Sequence, residues 1–163
     1  MNEGRVWRYG DDVNTDVIFP GKYTYQPLTP EEMAEHALED LDPDFAGSVE
    51  EGDVIVAGAN FGCGSSREQA ATCLKAAGVA AVIAKSFSRI FFRNAINNGL
   101  PVIELREGID TIEKGDTVKV NFAKGIVIHK GNEYHFPALP EEVLAILNDG
   151  GLIPHVRKEL GKS

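Results

Sequence analysis

The run from Asp53 to Ala70, DVIVAGANFGCGSSREQA, limits what this chain can fold into more than any other stretch. Val54 to Ala57 is apolar and rich in β-branched residues, as a strand buried on both faces would be. Gly58, Gly62 and Gly64 then supply the backbone freedom of a tight turn. A helix start follows. Ser65 has Glu68 three residues on and Ser66 has Gln69, so either serine fits the N-cap of a capping box. The first turn of such a helix carries unpaired N–H groups and the positive end of the dipole, which suit an anion. Ser65, Ser66 and Arg67 bring two hydroxyls and a guanidinium to that point. A carboxylate or a phosphate is the natural guest.

The flanking pattern extends this unit to β-α-β-α-β. Arg67 to Ala77 is predicted helical, with Ala70, Ala71, Leu74 and Ala77 buried and Gly78 as its stop. Val79 to Ala84 reads as the next buried strand, reached by a parallel crossover. Ser86 to Asn98 is a second helix with Ile90, Phe91, Ala95 and Ile96 inward, and Leu100 to Leu105 a third strand. Upstream, Arg5 to Tyr9 suggests a short strand. Asn14-Thr15-Asp16 precedes Val17-Ile18-Phe19 and the turn Pro20-Gly21, where Asp16 alone reads as a turn or cap residue. Thr29-Pro30-Glu31-Glu32 is a helix start with Thr as N-cap, and the helix is expected to run through Leu38. Downstream, Thr117 to Phe122 alternates as a half-exposed strand does. Two further strands follow, with Lys130-Gly131-Asn132 as a hairpin turn. Then come a helix from Pro140 to Leu147 and a polar tail after Pro154, expected to be loose.

At 163 residues, the chain is expected to form one domain over 1–163. A net charge of −9 argues against a nucleic-acid or anionic-membrane partner, which would call for a basic face. There is no charged-then-apolar leader, and no apolar run approaches the ~20 residues of a membrane span, so a cytoplasmic location is expected. The two cysteines, Cys63 and Cys73, cannot hold an iron–sulfur cluster or form a four-ligand zinc site alone, so no metal site is expected. Cys73 reads as a small core residue. Cys63 lies in the glycine loop, and nothing in the sequence shows that its thiolate is needed.

Known phosphate cradles do not fit the loop. Gly62 to Arg67 offers G-x-G-x-x-R and so lacks the third glycine of the dinucleotide fingerprint, and the Gly-Lys-Ser/Thr of a P-loop is absent. Asn60 to Ala70, with Gly-Ser-Ser-Arg-Glu at its centre, resembles instead the signature of the swivelling domain of the aconitase superfamily. Ser86 to Leu100 resembles it too, as does Asn14-Thr15-Asp16 before Pro20-Gly21. The three blocks occur in the family's order and cover roughly Asp11 to Leu105. The chain length is similar to the free-standing small subunits of the 3-isopropylmalate dehydratase and homoaconitase type, rather than to the fused domain of aconitase.

The resemblance implies an α/β fold, a swivelling β/β/α domain with a mixed sheet flanked by helices. It implies a heterodimer or heterotetramer with a large iron–sulfur subunit whose [4Fe-4S] cluster sits on three cysteines, one iron keeping an open position. This chain, binding no cofactor itself, would close over that site as a lid. In that family the iron polarises the hydroxyl that leaves. Ser65 is implied as the base that removes the proton alpha to a substrate carboxylate. Arg67 would grip that carboxylate, Ser66 would donate to it, and Asp16 would orient a partner across the interface. The loop Tyr23-Thr24-Tyr25-Gln26 falls where the family selects its substrate. Homoaconitase-type chains carry an arginine there, whereas Tyr25 takes that place here, which favours an apolar side group as in 3-isopropylmalate or another alkylmalate. Gln69 departs from the histidine of many relatives. Arg89 and Arg93, at i, i+4, form either a solvated face or a contact with the large subunit. Homoaconitase, another 2-alkylmalate dehydratase and a non-catalytic carboxylate-binding module stand as the alternatives.

Overall fold

The computed structural model describes residues 2–161. Among them one seven-stranded sheet organises the chain. Strands β1 (Asn2–Arg8), β2 (Val54–Ala57), β3 (Ala81–Ala84) and β4 (Val102–Glu104) are parallel neighbours in the order β4-β3-β2-β1. Strand β5 (Thr117–Asn121) then pairs antiparallel with β1, and β6 (Ile126–His129) and β7 (Asn132–His135) extend the ribbon. The sheet is mixed and flanked by helices, as the family resemblance implied.

The two faces of the parallel half bury different partners, which is why β2 and β3 are buried at every position. Ile55, Ala57, Val82, Ala84 and Val102 share a core with the helices. Val54, Val56, Ala81, Ile83 and Ile103 share a second core with Val118, Val120, Val127 and Phe136. The sheet therefore curls and covers its own second face, and β5 keeps the alternating burial that its sequence shows. At the foot of β2, Asp53 ties three segments together. Its Oδ2 accepts from Glu50 N–H, Trp7 Nε1–H and Arg5 Nη2–H, each at 2.9 Å.

The helices are α1 (Thr15–Ile18), α2 (Pro30–Ala34), α3 (Phe45–Ser48), α4 (Gln69–Ala76), α5 (Arg89–Asn97), α6 (Glu141–Asn148) and α7 (Leu152–Glu159). The capping box of α2 forms, with Glu32 N–H on Thr29 Oγ1 at 3.2 Å and Thr29 N–H on Glu32 Oε1 at 3.1 Å. The helix ends at Ala34, short of the expected Leu38. Leu38 takes a positive φ of 56° and gives its N–H to the Ile18 carbonyl at 2.8 Å, a tertiary bond that replaces the next helical one.

Three further expectations are corrected. Helix α4 begins at Gln69, and neither Ser65 nor Ser66 caps it: Glu68 occupies the N-cap position without a side-chain bond. Ile90 is 48% exposed on α5 rather than inward, because the face that packs on the core is the one carrying Phe91, Ala95 and Ile96. Through Glu159 the tail is helical rather than loose. The Asp149 carboxylate accepts from His155 at 2.8 Å and from Lys158 at 3.1 Å, fastening α7 to the end of α6. The hairpin turn is as expected, with Lys130 and Gly131 at φ 49° and 80°.

Candidate active site

The loops that leave β1, β2 and β3 emerge at the carboxyl edge of the parallel strands, where open α/β sheets bind ligands. The glycine loop after β2 is stitched on both sides there. On one side Gly62 N–H donates to the Val13 carbonyl at 2.7 Å, and Thr15 N–H to the Cys63 carbonyl at 2.8 Å. On the other side Phe61 N–H bonds Ser86 and Ser88 N–H bonds Phe61, both at 3.0 Å, while Ser88 Oγ donates to the Gly62 carbonyl at 2.8 Å. The three sequence blocks thus lie side by side. Gly62, at φ 81°, has the Phe91 ring packed where a Cβ would stand, so glycine is required.

Ser65 is solvent-exposed, and its backbone and hydroxyl are both held by one buried side chain. Its N–H donates to Thr15 Oγ1 at 3.1 Å, and its Oγ lies 3.1 Å from the same oxygen. Thr15 is 2% exposed. No helical element covers Ser65 to Glu68, and α4 begins only at Gln69. Reading the sequence gave Thr15 no task, and no local signal could have: its partner lies fifty residues away.

Arg67 is ion-paired with Asp16, and its Nη1 also reaches the Phe19 carbonyl at 3.4 Å. Asp16 sits in the first turn of α1, whose cap is Asn14, with Oδ1 accepting from Val17 N–H at 2.9 Å. Gly21 lies flat against the pair. A Cβ there would stand 3.3 Å from Asp16 Oδ1 and 3.4 Å from both terminal nitrogens of Arg67. Within this chain, then, the partner of Asp16 is Arg67. The Asp16 side chain keeps 63% of its exposure and that of Arg67 keeps 21%.

Ser66 is exposed and is steadied through its carbonyl, which accepts from Asn94 Nδ2 at 3.3 Å. The loop after Pro20 comes alongside. Tyr23 stacks on His36 with ring centroids 3.9 Å apart and donates its hydroxyl to the Glu39 carboxylate at 3.1 Å, so it anchors the loop. The Thr24 carbonyl accepts from Gln69 Nε2 at 3.3 Å, while Thr24 Oγ1 is buried without a partner. Tyr25 is 97% exposed at the tip. Gln69 therefore faces this loop.

The thiols take a smaller part. Burial pushes the Cys63 thiol up, and the Asp12 carboxylate adds to it, so Cys63 is protonated at neutral pH and poorly suited to nucleophilic attack. Burial likewise pushes up the thiol of Cys73, which packs in the core. Among the described residues, no group of three or more His, Cys, Asp or Glu side chains is placed to hold a metal ion. Arg89 and Arg93 are both exposed on α5.

Residues 14–108 match the family described as the aconitase C-terminal domain. The chain is 50% identical over 161 residues to the 3-isopropylmalate dehydratase small subunit of Heliobacterium modesticaldum, covering 98% of this chain and 96% of that one. It is 54% identical over 152 residues to 3-isopropylmalate dehydratase small subunit 1 of Archaeoglobus fulgidus, covering 92% and 93%. The crystal structure of 3-isopropylmalate dehydratase from Methanocaldococcus jannaschii superposes with a TM-score of 0.91 at 44% identity, covering 98% of this chain and 95% of that one. The block that matches the family contains the Thr15, Asp16, Ser65 and Arg67 constellation, and the likeness continues over nearly the whole length: the chain belongs to the aconitase C-terminal domain family.

Proposed function

We propose that this chain is the small subunit of a 3-isopropylmalate dehydratase, a hydro-lyase that interconverts 2- and 3-isopropylmalate by removing and restoring water in leucine biosynthesis. It would work in the cytoplasm, joined to a large subunit as a heterodimer or heterotetramer. The observation that carries the reading is that one loop at the carboxyl edge of the sheet presents an exposed hydroxyl, Ser65, and, two residues on, a part-buried guanidinium, Arg67, held by Asp16.

The cluster that the family implies does not fit this chain's donors. Cys73 has no exposure, and Cys63 stands alone with a protonated thiol. The cluster would belong to the large subunit, where it would supply Lewis acidity toward the departing hydroxyl. This chain's own residues have the remaining work. Ser65 Oγ, as the alkoxide, takes the proton on the carbon alpha to a substrate carboxylate. The electron pair left on that carbon forms the double bond as the hydroxyl leaves the neighbouring carbon. Arg67 binds the carboxylate through its forked N–H groups, sharing them with Asp16. Ser66 donates a further hydrogen bond. Docking of the large subunit excludes water and so strengthens each of these interactions. Thr24 and Tyr23 hold the shape of the selecting loop, and the exposed Tyr25 offers an aromatic face to an isopropyl group.

The test is reconstitution. Mixed with an iron–sulfur large subunit under reducing, anaerobic conditions, the chain is expected to turn over isopropylmalate, with homocitrate-type substrates far slower. Turnover by the purified chain alone contradicts the reading. Carboxylate binding without any partner-dependent turnover supports a non-catalytic binding module instead.

A further inference from the structure

We propose that Thr15 is the positioning residue that aims and activates the Ser65 hydroxyl; the inference rests on the assignment of Ser65 as the base. A backbone N–H can only donate, so Thr15 Oγ1 accepts from Ser65 N–H at 3.1 Å. The threonine hydroxyl has one proton to give. Ser65 Oγ lies 3.1 Å from it; between two hydroxyls either oxygen can be the donor, but as the alkoxide Ser65 can only accept, and the threonine proton is then the one in place. One side chain thus fixes the serine backbone and delivers a hydrogen bond to the oxygen that has to carry negative charge.

The surroundings make this donor rigid. Thr15 is 2% exposed, its N–H is committed to the Cys63 carbonyl at 2.8 Å, and its carbonyl accepts from Phe19 N–H at 2.9 Å. A β-branched side chain at a helix start has few rotamers to lose. Gly64 leaves the approach open: a Cβ there would stand 3.3 Å from Thr15 Oγ1. A fixed donor from inside the fold stabilises an alkoxide without reorganisation, and an O–H···O⁻ bond is about twice as strong as a neutral one. A serine with such a donor loses its proton more readily than a free serine does.

The experiment compares Thr15→Val, which keeps the shape and removes the hydroxyl, with Thr15→Ser, which keeps the hydroxyl, both in the reconstituted complex. Thr15→Val is expected to lower kcat by about 10- to 100-fold. KM should change little, and the rising limb of the kcat–pH profile should move up by about one unit. Thr15→Ser is expected to recover most of the rate. A Thr15→Val enzyme with the parental rate and profile overturns the proposal, and so does a loss that Thr15→Ser fails to recover. Hydrogen exchange on the unmodified chain needs no variant: the Ser65 amide is expected to be protected, and exchange at the rate of a free loop overturns the geometry. Ser65→Ala runs in parallel. Turnover surviving there removes the base assignment and this inference with it, whereas a dead Ser65→Ala beside a normal Thr15→Val removes Thr15 alone.

Discussion

Asp16, in the first turn of α1, is ion-paired with Arg67 at the exit of the glycine loop, so the cation of the candidate site is oriented before any ligand arrives. The Phe19 carbonyl takes a second bond from the same guanidinium, and Gly21 packs against it without a side chain. A planar fork held in this way suits a carboxylate, and a lysine ammonium could not satisfy the same contacts.

Arg67→Lys is therefore expected to raise the KM for isopropylmalate by about 10- to 100-fold, the loss of one or two charge-assisted hydrogen bonds, with a smaller effect on kcat. Steady-state kinetics of the reconstituted complex measure this split. An unchanged KM would take Arg67 out of substrate binding.

Ser65→Ala is expected to lower kcat by about 10²- to 10⁴-fold, the range for loss of a positioned base. Ser65 is exposed, so its removal should leave the melting temperature within a few degrees of the parent. Calorimetry beside the rate assay separates loss of chemistry from loss of fold.

Gly64→Ala should affect both. Gly64 has a φ of 100°, and forcing a side chain there costs about 1–3 kcal/mol. The new methyl would also press on Thr15 Oγ1 and disturb its hold on Ser65. Lower stability by urea titration, together with reduced kcat, is the expected result.

Acid should weaken the fold through Asp53. Burial works to raise this carboxyl, but the hydrogen bonds from Glu50 N–H, Trp7 and Arg5 overcome it and hold its pKa below the ordinary carboxylate range. A carboxyl depressed in the folded state contributes stability that is complete above its unfolded value, about 3.9, and is lost as pH falls through the folded one. Unfolding free energy measured from pH 7 down to pH 2 should drop in that window. Asp53→Asn should flatten the drop and cost about 1–3 kcal/mol at neutral pH, because a neutral amide cannot satisfy all three donors as well.

The sequence by itself determined the elements whose signals are local. Unbroken apolar runs make β2 and β3 strands, the box at Thr29 starts α2, and Gly99 ends α5 at a positive φ of 77°. The three blocks that make up the candidate site were also legible, because each is a short contiguous string. Only the tertiary structure decided how those blocks engage. The pairing of Asp16 with Arg67, the outward turn of Ile90 and the grip of Thr15 on Ser65 depend on partners brought together by folding. So do the early end of α2 at the Ile18 carbonyl and the docking of α7 on Asp149. Propensity and capping report a chain's preference for its near neighbours. A hydrogen bond across fifty residues exists only after the sheet has placed both ends at the same edge, and no local pattern encodes it.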